Sequence, residues 1–92
     1  MLFMIVERFA TGRAPEVYQL VRERGRMLPD GLVYVDSWVS ADLRTCFQLM
    51  ECDDPLLLQE WIAQWGDLVS FEIVPVVPSK QTAALMWRLS GK

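Results

Sequence analysis

The chain has 92 residues, of which 52% are hydrophobic, and carries a formal net charge of -3 at pH 7. Its length predicts a single domain spanning residues 1–92, and so much apolar material in a small chain favours a homodimer. The acidic balance argues against nucleic acid as a partner, and the sequence offers no basic amphipathic helix for a membrane surface. Without a signal peptide or a run of ~20 apolar residues, a soluble, cytoplasmic protein is expected.

Histidine is absent from the sequence. This excludes catalytic triads and general bases that use histidine, and zinc or haem sites that are ligated by it. We expect no metal and no cofactor. Cys46 and Cys52 fall on one predicted strand, which separates their Cα atoms by ~20 Å, whereas a disulfide needs Cα atoms within about 7 Å. Both are therefore predicted to be buried, reduced thiols.

The N-terminal third predicts a strand, a helix and a turn. Residues 2–9 are short, apolar and bulky, as in a strand. Pro15 suits the first turn of a helix over residues 15–27. This helix is expected to fray near Gly25. Pro, Asp and Gly within residues 27–31 then form a turn. The helical spacing of the second element is carried by Val17, Leu20, Val21 and Arg24.

The middle of the chain predicts a β-hairpin followed by a helix. Strands over residues 32–40 and 45–52 flank a connection at residues 41–44. Asp54 is expected to cap the helix, with Pro55 at its first position and Gly66 at its end. One apolar stripe on this helix comprises Leu58, Trp61, Ile62 and Trp65.

The C-terminal part predicts a last strand over residues 68–77 and a short helix over residues 79–89. Pro75 and Pro78 indicate an edge strand or a strand end, because proline donates no ladder hydrogen bond. Ser79 is expected to cap the helix, which lies in a C-terminal extension, residues 79–92. The order β-α-β-β-α-β is that of a ferredoxin-like α+β fold, in which two helices cover one face of a four-stranded antiparallel sheet.

Four segments resemble a family of small bacterial domains of unknown function in the dimeric α/β-barrel superfamily. They read VYVDSWV, CFQLMECDDP, WIAQW and FEIVPVV, and the resemblance covers residues 1–80. It implies a homodimer whose two sheets close into one barrel with the helices outside. Relatives include cofactor-free monooxygenases, muconolactone isomerases, haem-dependent chlorite dismutases and stress-responsive proteins. The chain departs from the haem branch in lacking histidine, and Glu60 or Trp61 stands where many monooxygenase-like members carry one.

Three classes of function stay open. The first is a homodimer that binds a small ligand or serves a structural role. The second is a cofactor-independent oxygenase or isomerase for a small planar substrate, which requires an enclosed pocket with Asp36 or Arg8 pointing inward. The third is a protein-interaction or regulatory module in which the segment ALMWRL docks on a partner. No catalytic motif decides among them, because a fold by itself does not imply a function.

The candidate ligand site follows from the alternation of side chains along the strands. Alternate residues of each strand form two sets, one for each face. One set is almost wholly apolar, whereas the other mixes large apolar side chains with polar ones. The second and third strands contribute these polar residues to the same face only if a bulge or an odd-length loop lies near Ala41–Arg44. With an even loop, Gln48 lies on the other face and leaves the group. The mixed set either lines a ligand pocket or has a structural role. In the structural alternative, Arg8 pairs with a carboxylate and Trp38 lies in a dimer core. Its members are Arg8, Tyr34, Asp36, Trp38, Gln48 and Glu72.

Other groups have simpler interpretations. Glu51, Asp53 and Asp54 suit a helix N-terminus better than a metal site. Trp61 and Trp65 suit the core better than a cofactor, and residues 22–26 suit a solvated helix end better than a phosphate site.

Overall fold

The computed structural model describes residues 1–91. It is an α+β structure with a four-stranded antiparallel sheet in the order β2-β3-β1-β4 and three helices. The strands are β1 (Leu2–Phe9), β2 (Val33–Val39), β3 (Thr45–Glu51) and β4 (Val69–Val76). The helices are α1 (Ala14–Arg24), α2 (Leu56–Ile62) and α3 (Ser79–Ser90). All these elements were predicted, with differences at their ends.

Helix α1 ends earlier than the predicted residue 27. Gly25 adopts φ 66°, and its N–H donates to the Val21 carbonyl at 2.7 Å. This left-handed conformation is easy for glycine and stops the helix. Met27 also has a positive φ of 58°, so the chain turns sharply before it reaches β2.

Helix α2 is shorter than predicted at both ends. It begins at Leu56 with Pro55 at the N-cap position, and Asp54 Oδ1 accepts the Leu56 N–H at 3.0 Å. Asp54 thus satisfies a free backbone donor as predicted, from one residue before the cap. The helix ends at Ile62 rather than at Gly66, and Trp65, in the turn that follows, is still buried.

Strand β4 lies at an edge of the sheet, as its prolines predicted. Helix α3 follows it through Val77 and Pro78. The prediction that Ser79 caps α3 is wrong, because Pro78 is the N-cap residue, with φ -54° and ψ 131°, and no side chain bonds to the helix start.

A β-bulge lies in the middle of β2. The register against β3 shifts between Tyr34 and Asp36, so a bulge occurs within β2 and not near Ala41–Arg44, where grouping the two strands required a bulge or an odd-length loop. In the hairpin, the Ser40 N–H donates to the Thr45 carbonyl at 2.8 Å, which leaves an even connection at 41–44. The bulge places Tyr34 and Asp36 on opposite faces of the sheet.

The core lies between one face of the sheet and helices α1 and α2. Trp61 connects α2 with two other parts of the chain. Its Nε1 donates to the carbonyl of Arg26, in the segment after α1, at 2.8 Å, and its ring packs edge-to-face on Phe71 of β4 with the ring centroids 5.3 Å apart. Cys46 and Cys52 are buried and free, as predicted. The largest fully buried side chains are Trp61, Ile5, Met50 and Leu58.

The described chain is less compact than a domain of this length usually is. Its radius of gyration is 15.7 Å, whereas about 12 Å is expected for such a chain. The cause is α3, none of whose twelve described residues is buried. No helix in residues 1–91 is long and apolar enough to cross a membrane.

Candidate functional site

The face of the sheet opposite α1 and α2, called here the open face, is apolar and uncovered in the single chain. Trp38 is 51% exposed and Phe47 39% exposed, although the two are paired across β2 and β3. No open-face residue of the described strands is buried. Its apolar members are Leu2, Met4, Val6, Val33, Trp38, Phe47, Leu49, Val74 and Val76, and its polar members are Arg8, Asp36, Thr45, Glu51, Ser70 and Glu72.

Four of the predicted site residues lie on this open face. Arg8 Nη2 donates to Glu72 Oε1 at 3.1 Å, between the neighbouring strands β1 and β4. Asp36 is exposed and its Oδ1 accepts the N–H of Ser37 at 2.8 Å. Trp38 stands beside it on β2. The pairing of Arg8 with a carboxylate is the architectural alternative that the sequence had left open.

The other two predicted residues, Tyr34 and Gln48, do not belong to this group. Both face the helices, where the Tyr34 hydroxyl lies 2.6 Å from Ser37 Oγ and Gln48 Nε2 donates to Met50 Sδ at 3.0 Å. The prediction that one parity set unites all six is wrong, for two reasons. The bulge in β2 turns Tyr34 to the face that packs on the helices, and the even hairpin connection places Gln48 on that same face.

A second polar cluster lies between the sheet and the helices. Glu7 of β1 is only 7% exposed, and it pairs with Cys46 of β3 and Phe71 of β4. Burial raises the pKa of its carboxyl to about 7, and the charge of Arg26 opposes this shift only in part. Glu7 can therefore hold or release a proton near neutral pH, as a general acid or base must.

The surroundings of Glu7 are polar but poorly neutralised. The Arg26 guanidinium stacks on the Tyr34 ring at 3.8 Å from its centroid, and no salt bridge to Glu7 forms within the described residues. Burial, with a smaller contribution from the Glu7 charge, raises the pKa of the Cys46 thiol to about 11. Cys46 is therefore a protonated, unreactive thiol at neutral pH.

Two buried polar atoms in residues 1–91 have no hydrogen-bond partner. They are Glu7 Oε2, an acceptor when the carboxyl is ionised, and Trp65 Nε1, a donor. Glu7 lies within β1, and Trp65 lies in the turn that leads from α2 through residues 66–68 into β4. Buried polar groups are usually satisfied, so this pair marks unused binding capacity.

Sequence reasoning missed Glu7. The signal was present, because Glu7 continues the alternation of Phe3 and Ile5 on β1 and so had to share their buried face. Among residues 1–91, no group of three or more Cys, Asp or Glu residues could hold a metal ion.

The surface depressions of the described chain lie away from Asp36, Trp38 and Glu7. One of 480 Å³ is lined by Arg8, Arg44 and Thr45 at the end of the sheet, and another of 320 Å³ by Met1, Glu51 and Pro78 at the root of α3. Arg8 lines the first of these depressions and Asp36 lines neither, and both depressions are open to solvent, so neither supplies the enclosed pocket that an oxygenase or isomerase requires.

Residues 1–90 match a sequence family described as a domain of unknown function (DUF3303). The match extends through α3, so this helix is part of the family domain and not an appended tail. No curated protein and no solved structure matches the chain.

Proposed function

Because the chain belongs to the DUF3303 family, whose description assigns no activity, we propose its function from its geometry. We propose that it acts as a ferredoxin-like homodimer whose two sheets pack open face to open face into an α/β barrel. The observation that carries the proposal is the uncovered apolar open face, with Trp38 on the edge strand β2 and Phe47 beside it on β3. Its free, reduced thiols suit the cytoplasm, where we place it.

The large exposed area of the chain supports the proposal that it has a partner subunit. The chain exposes 6570 Å², whereas a compact monomer of 10.6 kDa is expected to expose about 5,500 Å². A standard protein interface buries about 800 Å² on each partner. Part of the excess belongs to the unpacked helix α3, so the argument for the open face rests on its being a contiguous apolar surface, which is what such an interface needs.

The polar groups of the open face are compatible with burial. Arg8 and Glu72 neutralise each other, and Asp36 accepts a hydrogen bond from the backbone. A two-fold interface repeats every group on both sides, so the Arg8–Glu72 pair brings no net charge into it, whereas Asp36 and Glu51 keep their charge and suit a solvated rim.

Replacement of Phe47 by glutamate is expected to dissociate the dimer. The new carboxylate would be buried without a partner, at a cost of about 3 kcal/mol or more, which weakens association by over a hundredfold. Sedimentation equilibrium of wild type and Phe47→Glu measures this. Leu56→Glu, on the helical side of the sheet and 62% exposed, is the matched control. A Phe47→Glu variant that keeps twice the mass of the chain contradicts the proposal.

A second candidate function is the binding of a small molecule at Glu7. The unpartnered acceptor at Glu7 and the unpartnered donor at Trp65 favour it. Helix α1, which lies over this region, buries only Val17, and a thinly packed helix moves aside more easily than a well-packed one. A phenol hydroxyl can donate a hydrogen bond to an acceptor such as Glu7 Oε2 or accept one from a donor such as Trp65 Nε1, so a planar phenol suits either atom.

Phenol is therefore expected to raise the melting temperature of the wild-type protein more than benzene, which can form neither bond. Glu7→Leu removes the acceptor and is expected to abolish the difference between the two probes. Differential scanning fluorimetry at pH 8, where Glu7 is mostly ionised, measures both. Equal effects of phenol and benzene on wild type would rule out this candidate.

A further inference from the structure

Helix α3 is a well-formed helix with nothing packed on it. Every one of its twelve residues is exposed, and Trp87 is 80%, Met86 58% and Leu89 52% exposed. Isolated helices of this length are marginal in water, because helices in proteins are stabilised mainly by the packing of an apolar face. A helix with these side chains needs a surface to cover.

Charge is divided sharply between this helix and the rest of the chain. All 12 acidic residues lie in residues 1–72, whereas residues 73–92 contain Lys80, Arg88 and Lys92 and no acid. The C-terminal segment is thus purely basic and the remainder strongly acidic. Opposite charges of this kind favour and orient docking between two surfaces.

The segment does not dock on its own chain. Its root at Val77 and Pro78 leaves the edge strand β4, and the molecule extends 54 Å in one direction but only 31 and 18 Å in the others. A helix of twelve residues is ~18 Å long, so α3 reaches well beyond the sheet. In a dimer formed through the open face, such an arm lies within reach of the other copy.

We propose that α3 is an exchanged arm: in the homodimer, α3 of each copy docks on the acidic body, residues 1–72, of the other copy. This inference rests on the proposed dimerisation. The apolar side chains of α3 supply the buried contact, and Lys80 and Arg88 face carboxylates of the partner. The third class of function, with α3 docked on an unlike partner, is thereby replaced by self-association.

The choice of a second copy follows from three observations. The family match includes α3, so the helix belongs to the same unit as its acceptor surface. The complementary charges are both encoded in this one chain. The excess exposed area of the chain includes α3 and is that of a dimer interface.

Cross-linking of isotope-mixed dimers tests the exchange. Lys80 and Lys92 are the only lysines of the chain, and both lie in the basic segment. A water-soluble carbodiimide joins lysine amines to carboxylates in direct contact. Wild-type chains labelled with ¹⁴N and ¹⁵N are mixed in equal amounts, refolded together and cross-linked, and the peptides joined through either lysine are weighed by mass spectrometry.

The expected result is four mass combinations in equal amounts for each joined pair, because the lysine and the carboxylate come from different copies at random. Only two combinations, both of a single isotope, would show that α3 folds back on its own body and would overturn the exchange. No joined peptides would overturn it as well. Sedimentation of the same mixture separates the two proposals: a dimer with single-isotope pairs contradicts only the arm, and a monomer contradicts the dimer itself.

Truncation gives a second measurement. A chain that ends at Pro78 keeps the whole sheet, α1 and α2, and is expected to form dimers with a dissociation constant raised about tenfold or more, as is typical when a tryptophan anchor is lost. Trp87→Ser in the full chain is expected to show most of this effect. An unchanged dissociation constant in both variants contradicts the exchange.

Discussion

Replacement of Trp61 by alanine is expected to destabilise the fold by about 3–5 kcal/mol, the usual range for removal of a buried aromatic side chain. Trp61 is 1% exposed and contacts the Arg26 carbonyl, in the segment after α1, and Phe71 of β4. The variant also leaves that carbonyl without its donor, which adds about 1 kcal/mol. Since small domains have only about 5–15 kcal/mol of stability, much of the protein is expected to be unfolded.

Urea denaturation at fixed chain concentration measures this effect, because the stability of a dimer depends on concentration. Trp61→Phe is the graded control: it keeps an aromatic ring against Phe71 but removes the hydrogen bond to Arg26 and part of the buried ring volume, so a smaller loss of about 1–2 kcal/mol is expected. If Trp61→Ala unfolds at the same urea concentration as wild type, Trp61 does not hold these elements together.

The stability of the protein is expected to fall as pH rises through neutrality, because of Glu7. Its pKa in the folded chain is about 7, raised by burial from 4.5. Below pH 4.5 the carboxyl is protonated in both states, and its full contribution is present. Between these values only the unfolded state releases the proton, so the free energy of unfolding decreases, and above pH 7 a loss of about 3 kcal/mol is complete.

Glu7→Gln is expected to remove this dependence, since glutamine resembles the protonated acid and does not titrate. The variant should therefore be more stable than wild type at pH 8 and similar to it at pH 4.5. Urea denaturation across this range measures both. Glu60→Gln, exposed on α2, is the matched control and should follow wild type. Parallel curves for wild type and Glu7→Gln would show that Glu7 is not a buried carboxyl with a raised pKa.

The elements of the fold were predictable from local sequence, whereas some of their ends were not. Pro15, Pro55 and Pro75 constrain the backbone by themselves, and the helix starts and the edge strand followed from them. The end of α1 depended on Gly25 adopting a left-handed conformation, and the end of α2 on how Trp65 reaches the core from a turn. Both helix ends depend on tertiary packing, which the helical spacing of apolar residues does not predict.

The faces of the sheet were only partly predictable. Alternation placed Arg8, Glu72, Asp36 and Trp38 correctly together, because each strand of a regular sheet obeys it. A bulge interrupts the alternation by one residue, and nothing local in VYVDSWV fixes whether it lies inside β2 or at the hairpin. Tyr34 and Gln48 were therefore grouped with residues of the opposite face.

The buried acid was predictable in position but not in chemistry. The period of β1 places Glu7 beside Phe3 and Ile5, yet its pKa depends first on how far packing removes the carboxyl from water and, to a smaller extent, on the opposing charge of Arg26. Arg26 lies far from it in sequence and stacks on Tyr34 instead. Such a pairing depends on how the segment after α1 folds over β2 in three dimensions, which composition and spacing do not determine.

Hydroxyl-radical footprinting of the wild-type protein tests most directly whether the open face is a dimer interface. In the single chain Trp38 and Tyr18 are almost equally exposed, at 51% and 49%, but Tyr18 lies on α1, on the opposite side of the sheet. After correction for the intrinsic reactivity of each ring, we expect Trp38 to be oxidised several times more slowly than Tyr18, and this protection to disappear on dilution. Equal rates at all concentrations would contradict a dimer formed through this face.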